Sequence, residues 1–413
     1  MYMNSEAQAD IVAFEGTVDT PTRTGVGPWL VRRVLRHLHC GRLTILLPSG
    51  ERIEHVGAAP GPHGAIALRD IRALRRVLTR GDVGFAEGYL AGEWDSPDLT
   101  ALIALLAQNV ARLDRTLDGF WPVRLWRRLA HALNGNSAQG SRRNIAFHYD
   151  LGNDFYRLWL DASMTYSSAC RIAPGQSLEA AQRAKLDRIA QLLVLDGRED
   201  VLEIGCGWGA LAARLASSCR RVTGLTLSAE QLAFAQTQAT TQGLADRIDL
   251  RLQDYRAEDG RYDRIVSIEM LEAVGEAYWP AYFERLRACL KPGGRIVLQA
   301  ITIREDSYAS YKRSPDFIQR YIFPGGMLPT PGILVAQAAA AGLTVIASET
   351  FGDGYADTLA EWRRRFDAAW PQVAALGFEL GFRRLWDYYL SYCEAGFRTG
   401  TINVGLYVLE EAS

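Results

Sequence analysis

A chain of 413 residues, 48% of them apolar, exceeds what one hydrophobic core serves and has enough to bury in at least two domains. Lys and Arg number 46 against 47 Asp and Glu, so the net charge of -1 excludes a chain-wide field for nucleic acid. The six cysteines, Cys40, Cys170, Cys206, Cys219, Cys289 and Cys393, show no CxxC pair, which suits reduced thiols in the cytoplasm and argues against a metal site. The opening MYMNSEAQADIVAFEG has acids where a secretory signal is basic, and no apolar run approaches the roughly 18 residues of a membrane span. The expectation is a soluble chain.

In chain order, GRLTILLPSGERIEHVG, 41–57, alternates and turns at Pro48, Ser49 and Gly50, as a β-hairpin does. AIALRD, 65–70, reads as a strand and IRALRRVLTRGD, 71–82, as a helix. GFAEGYLAGEWDSPDLTALIALLAQN then predicts a turn, an Asp or Ser cap before Pro97, and a second helix. Residues 1–110 thus form a small α+β module. In the 111–144 linker, Trp121, Leu125, Trp126, Leu129 and Leu133 recur at helical spacing with Arg124, Arg127 and Arg128 among them. Such a basic amphipathic helix suits an anionic lipid surface, and equally suits packing on a neighbouring domain. From 145 to 413 strands and helices alternate, which predicts an α/β domain with a doubly wound, mostly parallel, Rossmann-like sheet.

VLEIGCGWG, 201–209, sets Gly205, Gly207 and Gly209 where a strand turns into a helix, so a ligand can approach the backbone more closely than a Cβ permits. Glu203 precedes the glycines, as in S-adenosylmethionine-dependent methyltransferases. The next strand, RVTGLTLS, ends without the acid of a dinucleotide site and offers Thr226, Ser228 and Gln231 instead. The third ends in Asp254 and Tyr255, an acid for an adenine amine beside a ring that can stack on it.

HYDLGNDFYRLWLDASMTYSSA, VLEIGCGWGALA, TLSAEQLAFAQ, IEMLEAVG, RYIFPGGMLP and YYLSYCEAGFR, in that order, resemble the cyclopropane-fatty-acyl-phospholipid synthases and mycolic acid cyclopropane synthases. The N-terminal module resembles the lipid-carrier-like extension of the phospholipid-acting members. The resemblance implies a class I S-adenosylmethionine-dependent methyltransferase, with Tyr149, Tyr166, Ser167, the glycine loop, Thr226, Gln231 and Tyr255 binding the cofactor. It also implies a bicarbonate base held in part by Glu272 and Tyr389. This chain departs from the family at that point: Ser168 replaces the cysteine of YSCA, Gln299 the histidine of LHTI, Ala273 the histidine of EHVG, and Glu269 a usual glycine. Those substitutions resemble the fatty acid C-methyltransferase branch.

Two carboxylates in SIEMLEAVG, Glu269 and Glu272, would ordinarily belong to a solvated first helical turn. The chemistry implied offers another role. Methyl transfer to a carbon-carbon double bond leaves a carbocation, so a base and a water-poor, aromatic pocket are needed. All six histidines lie at or before His148, away from the last four strands, which leaves a carboxylate, a tyrosine or an ion. Neighbouring carboxylates raise one another's pKa, so Glu269 beside Glu272 offers a base without an ion. The expected activity is formation of a cyclopropane acyl chain in an unsaturated phospholipid, at a membrane to which the enzyme binds peripherally. The alternatives are a methylene- or methyl-branched product, the latter needing a separate reductase, and a small-molecule N-methyltransferase. Oligomeric state, a homodimer included, stays open.

Overall fold

The computed structural model describes residues 35–36, 38–118 and 151–412. The basic helix expected at 121–133 and Tyr149 lie outside them. The chain forms two units, residues 1–140 with 378–399, and residues 141–377 with 400–413.

In the first unit, β1 (Cys40–Leu46) and β2 (Arg52–Val56) form the expected antiparallel hairpin. β3 (Ala59–Leu68) runs parallel to β1, and the short β4 (Trp94–Asp95) completes a sheet of order β2-β1-β3-β4. The helix predicted to stop at residue 82 continues to Leu90, through a kink at Gly81 (φ 61°, ψ -134°), so GFAEGYL is helix and not turn. Its glycines serve close packing: a Cβ on Gly88 would stand 2.9 Å from the indole Nε1 of buried Trp94, which donates to the Phe85 carbonyl at 2.9 Å. The following helix, Leu99–Asp118, is capped by Asp98, whose Oδ1 accepts from Ala101 N–H at 2.8 Å. The cap therefore follows Pro97; Asp95, one of the expected caps, instead accepts from Arg384 Nη2 at 2.6 Å.

Arg384 belongs to the late helix Leu380–Arg398, which the chain returns to this unit. Its guanidinium lies 4.0 Å from the Tyr89 ring centroid and donates to the carbonyls of Tyr89 and Trp94 at 2.6 and 3.0 Å. Two further ties, Tyr89 OH to Asp387 Oδ2 at 2.7 Å and Thr100 Oγ1 to Glu394 Oε2 at 2.9 Å, fasten the same helix.

The second unit is built on seven strands in the order β10-β11-β9-β8-β5-β6-β7. β5 (Asp200–Ile204), β6 (Arg221–Thr226), β7 (Ile248–Leu252), β8 (Tyr262–Ile268) and β9 (Leu290–Ile303) pair in parallel. β11 (Ile402–Glu411) is antiparallel to both β9 and β10 (Leu343–Thr350). Both faces are covered, as a doubly wound sheet requires. Alternation along DVLEI sends Leu202 and Ile204 to a face packed by Trp279, Tyr282, Phe283 and Leu286. Val201 goes to the opposite face, against Leu186, Ile189 and Leu193 of the helix Leu178–Leu193. Each such side chain, fully buried, contributes about 1.5–3 kcal/mol. The same parity puts Glu203 on Val201's face, and Gln299, two residues beyond Val297 in β9, on that face too. Among the described residues no helix is long and apolar enough to cross a membrane.

Candidate active site at the carboxyl edge of the sheet

At the carboxyl end of β5 the backbone folds through three residues of positive φ, Gly205 (82°), Gly207 (53°) and Gly209 (85°), and the helix Ala210–Ala216 starts directly after them. The loop is tied to β6, because Gly205 and Cys206 both donate to the Leu225 carbonyl at 2.9 Å. A Cβ on Gly205 would come within 2.8 Å of Met270 Cγ, one on Gly209 within 2.9 Å of Ala235 Cβ, and one on Gly207 would meet nothing within 4 Å. Gly205 and Gly209 are thus fixed by packing, and Gly207 presents bare backbone. Beside them Thr226 Oγ1 lies 3.1 Å from Gln231 Oε1, and Ser228 caps the helix Ala229–Thr241 by accepting from Gln231 N–H. Gln231 is buried.

Asp254 and Tyr255 follow the carboxyl end of β7, where the sequence places them. Both Asp254 oxygens are engaged by Arg256, at 2.9 and 2.6 Å, and the buried Tyr255 ring packs edge-on against Tyr282 with centroids 5.4 Å apart. Tyr389 sits on the helix Leu380–Arg398, buried with its ring 5.2 Å from Trp386, and so belongs to the first unit while Glu269 and Glu272 belong to the second. Tyr166, half-buried, is ringed by Tyr156, Trp159 and Trp362 at centroid distances of 5.3, 5.7 and 5.4 Å.

Glu269 and Glu272 are half-buried with their carboxylates turned to partners inside the protein, which overturns the reading of a solvated first turn. β8 ends at Ile268, paired with Gln299, and the chain then takes φ 50° at Glu269, a left-handed conformation costly for any residue with a Cβ. The carboxylate repays that strain with contacts. Its Oε1 accepts from Ser168 N–H at 3.0 Å and Gln299 Nε2 at 2.7 Å, and its Oε2 from Tyr355 OH at 2.7 Å. Gln299 Nε2 also donates to Ser168 Oγ at 3.1 Å, joining three of the expected site residues in one network. Burial raises the Glu269 pKa, opposed by the Ser168, Tyr355 and Gln299 hydrogen bonds and by the charge of Lys185. Glu272 has less support: Ile301 N–H donates to Oε1, while burial and the neighbouring Glu269 push its pKa up to about 8. Burial likewise lifts Glu203 to about 8.

Three buried acceptors, Glu203 Oε2, Glu272 Oε2 and Gln299 Oε1, have no hydrogen-bond partner within the protein. Native interiors seldom tolerate such atoms, so they call for a ligand with donors or positive charge. Unpartnered carboxyl oxygens at the ends of β5 and β8, together with the bare backbone of Gly207, fit S-adenosylmethionine, which carries an ammonium and a sulfonium. For bicarbonate, Ser168 N–H, Gln299 Nε2 and Tyr355 OH are already taken by the Glu269 carboxylate, while the Ser168 hydroxyl accepts from Gln299 and keeps its own proton to donate.

Sequence reasoning missed Tyr355, Gln182 and Lys185. The signal was present in the helix Leu178–Leu193, where Gln182 and Lys185 fall on the stripe of Leu178, Leu186, Ile189 and Leu193 and are buried with it. Polar residues on a buried stripe must meet partners. Tyr355 lies on the buried stripe of Leu359, Trp362 and Phe366.

This strand order, the glycine loop after β5 and the partnerless acceptors beside it define a class I S-adenosylmethionine-dependent methyltransferase. The chain belongs to the mycolic acid cyclopropane synthetase family, whose profile matches residues 136–406. It is 40% identical over 390 residues to tuberculostearic acid methyltransferase UfaA1 of Mycobacterium tuberculosis, spanning 92% of this chain and 90% of that one. It is 35% identical over 351 residues to cyclopropane-fatty-acyl-phospholipid synthase of Escherichia coli strain K12, 84% and 87% of the respective chains. Among solved structures, mycolic acid cyclopropane synthase CmaA1 complexed with SAH and CTAB matches with a TM-score of 0.61 at 32% identity, over 65% of this chain and 98% of that one. S-adenosylmethionine is the cofactor.

Proposed function

We propose that this enzyme methylates the carbon-carbon double bond of an unsaturated fatty acyl chain carried in phospholipid, with Glu269 as the terminal base and a methylene-branched chain as product. The observation that carries the reading is the Glu269 carboxylate itself, held at 2.7–3.0 Å by donors from the Ser168 loop, β9 and the helix Gly352–Ala368. A relative named for tuberculostearic acid methylation, similar over 92% of this chain, supports the branching outcome.

The glycine loop, with Thr226 and Gln231 beside it, would hold the cofactor, which when bound supplies an electrophilic methyl group on a sulfonium. That methyl would pass to the acyl double bond, whose π electrons form the new C–C bond while the C–S electron pair stays with the departing sulfur. A carbocation remains on the chain. A hydride shift moves the cationic centre, and loss of a proton to the Glu269 carboxylate leaves an exocyclic double bond. The Glu269 carboxylate near the reacting chain favours its positive charge. The aromatic wall of Tyr156, Trp159, Tyr166 and Trp362 excludes water that would trap the cation.

A second reading, proton loss directly from the new methyl to close a cyclopropane, is favoured by the likeness to the E. coli synthase. Both products add one CH2, so mass does not separate them. Incubation with labelled cofactor and vesicles of unsaturated phospholipid, followed by proton NMR of the released chains, does. Exocyclic vinyl signals are expected; upfield cyclopropyl signals would favour the second reading, and label absent from the acyl chain would remove both.

A further inference from the structure

Lys185 is a buried cation that the reaction above does not use. It lies on the helix Leu178–Leu193 with 1% of its surface exposed, and its Nζ donates to Ser167 Oγ at 2.7 Å. One turn earlier on the same helix, the Gln182 amide donates to the Ser167 carbonyl at 2.8 Å. Ser167 is thus gripped at both its hydroxyl and its carbonyl, and the very next N–H, that of Ser168, donates to Glu269 Oε1 at 3.0 Å. A single dipeptide connects the helix to the base.

We propose that Lys185, together with Gln182, is a positioning residue that seats the Ser167–Ser168 peptide against Glu269 and supplies the cation that keeps this carboxylate ionised. The inference rests on the reading of Glu269 as base. Glu269 faces Lys185 from the helix Leu178–Leu193, Tyr355 from the helix Gly352–Ala368, Gln299 from β9, and Glu272 from its own segment. Lys185 in turn faces Glu269, Cys170, Asp161 and Glu203. One ammonium therefore stands among the carboxyl groups of Glu269, Asp161 and Glu203, and it is Glu269 to which the Ser167–Ser168 peptide links it. Burial lowers the Lys185 pKa to about 8, which leaves it cationic through the neutral range.

Ordinary lysine chemistry also offers a bland role, a satisfied core side chain whose loss merely loosens the helix. The test therefore reads the carboxylate and not stability alone. In the full-length enzyme, infrared difference titration follows the protonated carboxyl band that disappears in Glu269→Gln. Removing a nearby cation disfavours the anion, so in Lys185→Met this band should titrate about one pH unit or more higher than in wild type. The acid limb of kcat should move upward with it, and kcat at pH 7 should fall roughly tenfold with KM for the lipid little changed. Lys185→Arg should restore both. If Lys185→Met is too unstable to study, Lys185→Gln keeps a donor for Ser167 without the charge and should show the same shift. An unmoved band with kcat within about twofold of wild type in either folded neutral variant overturns the proposal. The infrared result needs no turnover, so it stands apart from failure of the reaction itself. Normal turnover by Glu269→Gln would sink the base assignment, whatever the band does.

Discussion

Glu269 combines a strained backbone with a saturated carboxylate. Its φ of 50° is one that glycine adopts freely, and glycine is the residue the resembling cyclopropane synthases usually place there. Glu269→Gly should therefore fold at least as well as Glu269→Ala, by about 1 kcal/mol in chemical denaturation, while turnover falls on the order of a hundredfold or more for want of a base. Undiminished turnover in the glycine variant would assign the base elsewhere. Glu203 and Glu272 make a different prediction. Their native pKa values, near 8, exceed the ordinary 4.5, so the folded state retains protons that the unfolded chain releases. Their contribution to stability is full below about pH 4.5 and is lost as pH rises through about 8. Glu272→Gln should flatten this decline, measured as the denaturation midpoint across the window, and an unchanged slope would show that Glu272 ionises normally. The candidacy of Glu269 was legible in the sequence as an acid where a glycine is usual. Its partners were not, because Tyr355 and Lys185 lie 86 and 84 positions away along the chain, and a polar residue on a buried helix stripe signals that it needs a partner without signalling which.

Helices show where local signals mislead. Glycines in GDVGFAEGYL read as a turn, yet the chain stays helical to Leu90 because Gly88 makes room for Trp94. Gly88→Ala, ordinarily a gain in helix propensity, should instead destabilise by about 1–3 kcal/mol in chemical denaturation through overpacking. A neutral or stabilising outcome would mean that Trp94 yields. β10 went unnoticed for the opposite reason: it is an edge strand with most of its residues exposed, so LTVIASET carries little of the alternation that marks a half-buried strand. The basic stretch with Trp121, Trp126, Arg124, Arg127 and Arg128 keeps its two readings. If it docks on lipid, reversing the three charges removes about 1 kcal/mol per cation and should abolish co-sedimentation with anionic vesicles at low salt. Unchanged co-sedimentation would leave it a packing helix.

At the scale of the whole molecule, the sheet of the second unit was readable because strands such as β5 and β6 carry apolar runs and lead into helices. The division of the chain was less so. A helix near residue 390 joins the N-terminal unit through Arg384, Asp387 and Glu394, and such pairings between residues almost 300 positions apart leave no local trace. That return has a consequence for how the protein is made. Strand β11 fills the place between β9 and β10, and the helix Leu380–Arg398 completes the first unit, so both await the same late stretch of chain. During synthesis, neither unit can close until residues 380–411 have left the ribosome, and the unpaired edges of β9 and β10 stand open meanwhile. Nascent chains stalled before residue 402 should accordingly be cleaved by protease in both units, and after release the second unit should stay cleavable for want of β11.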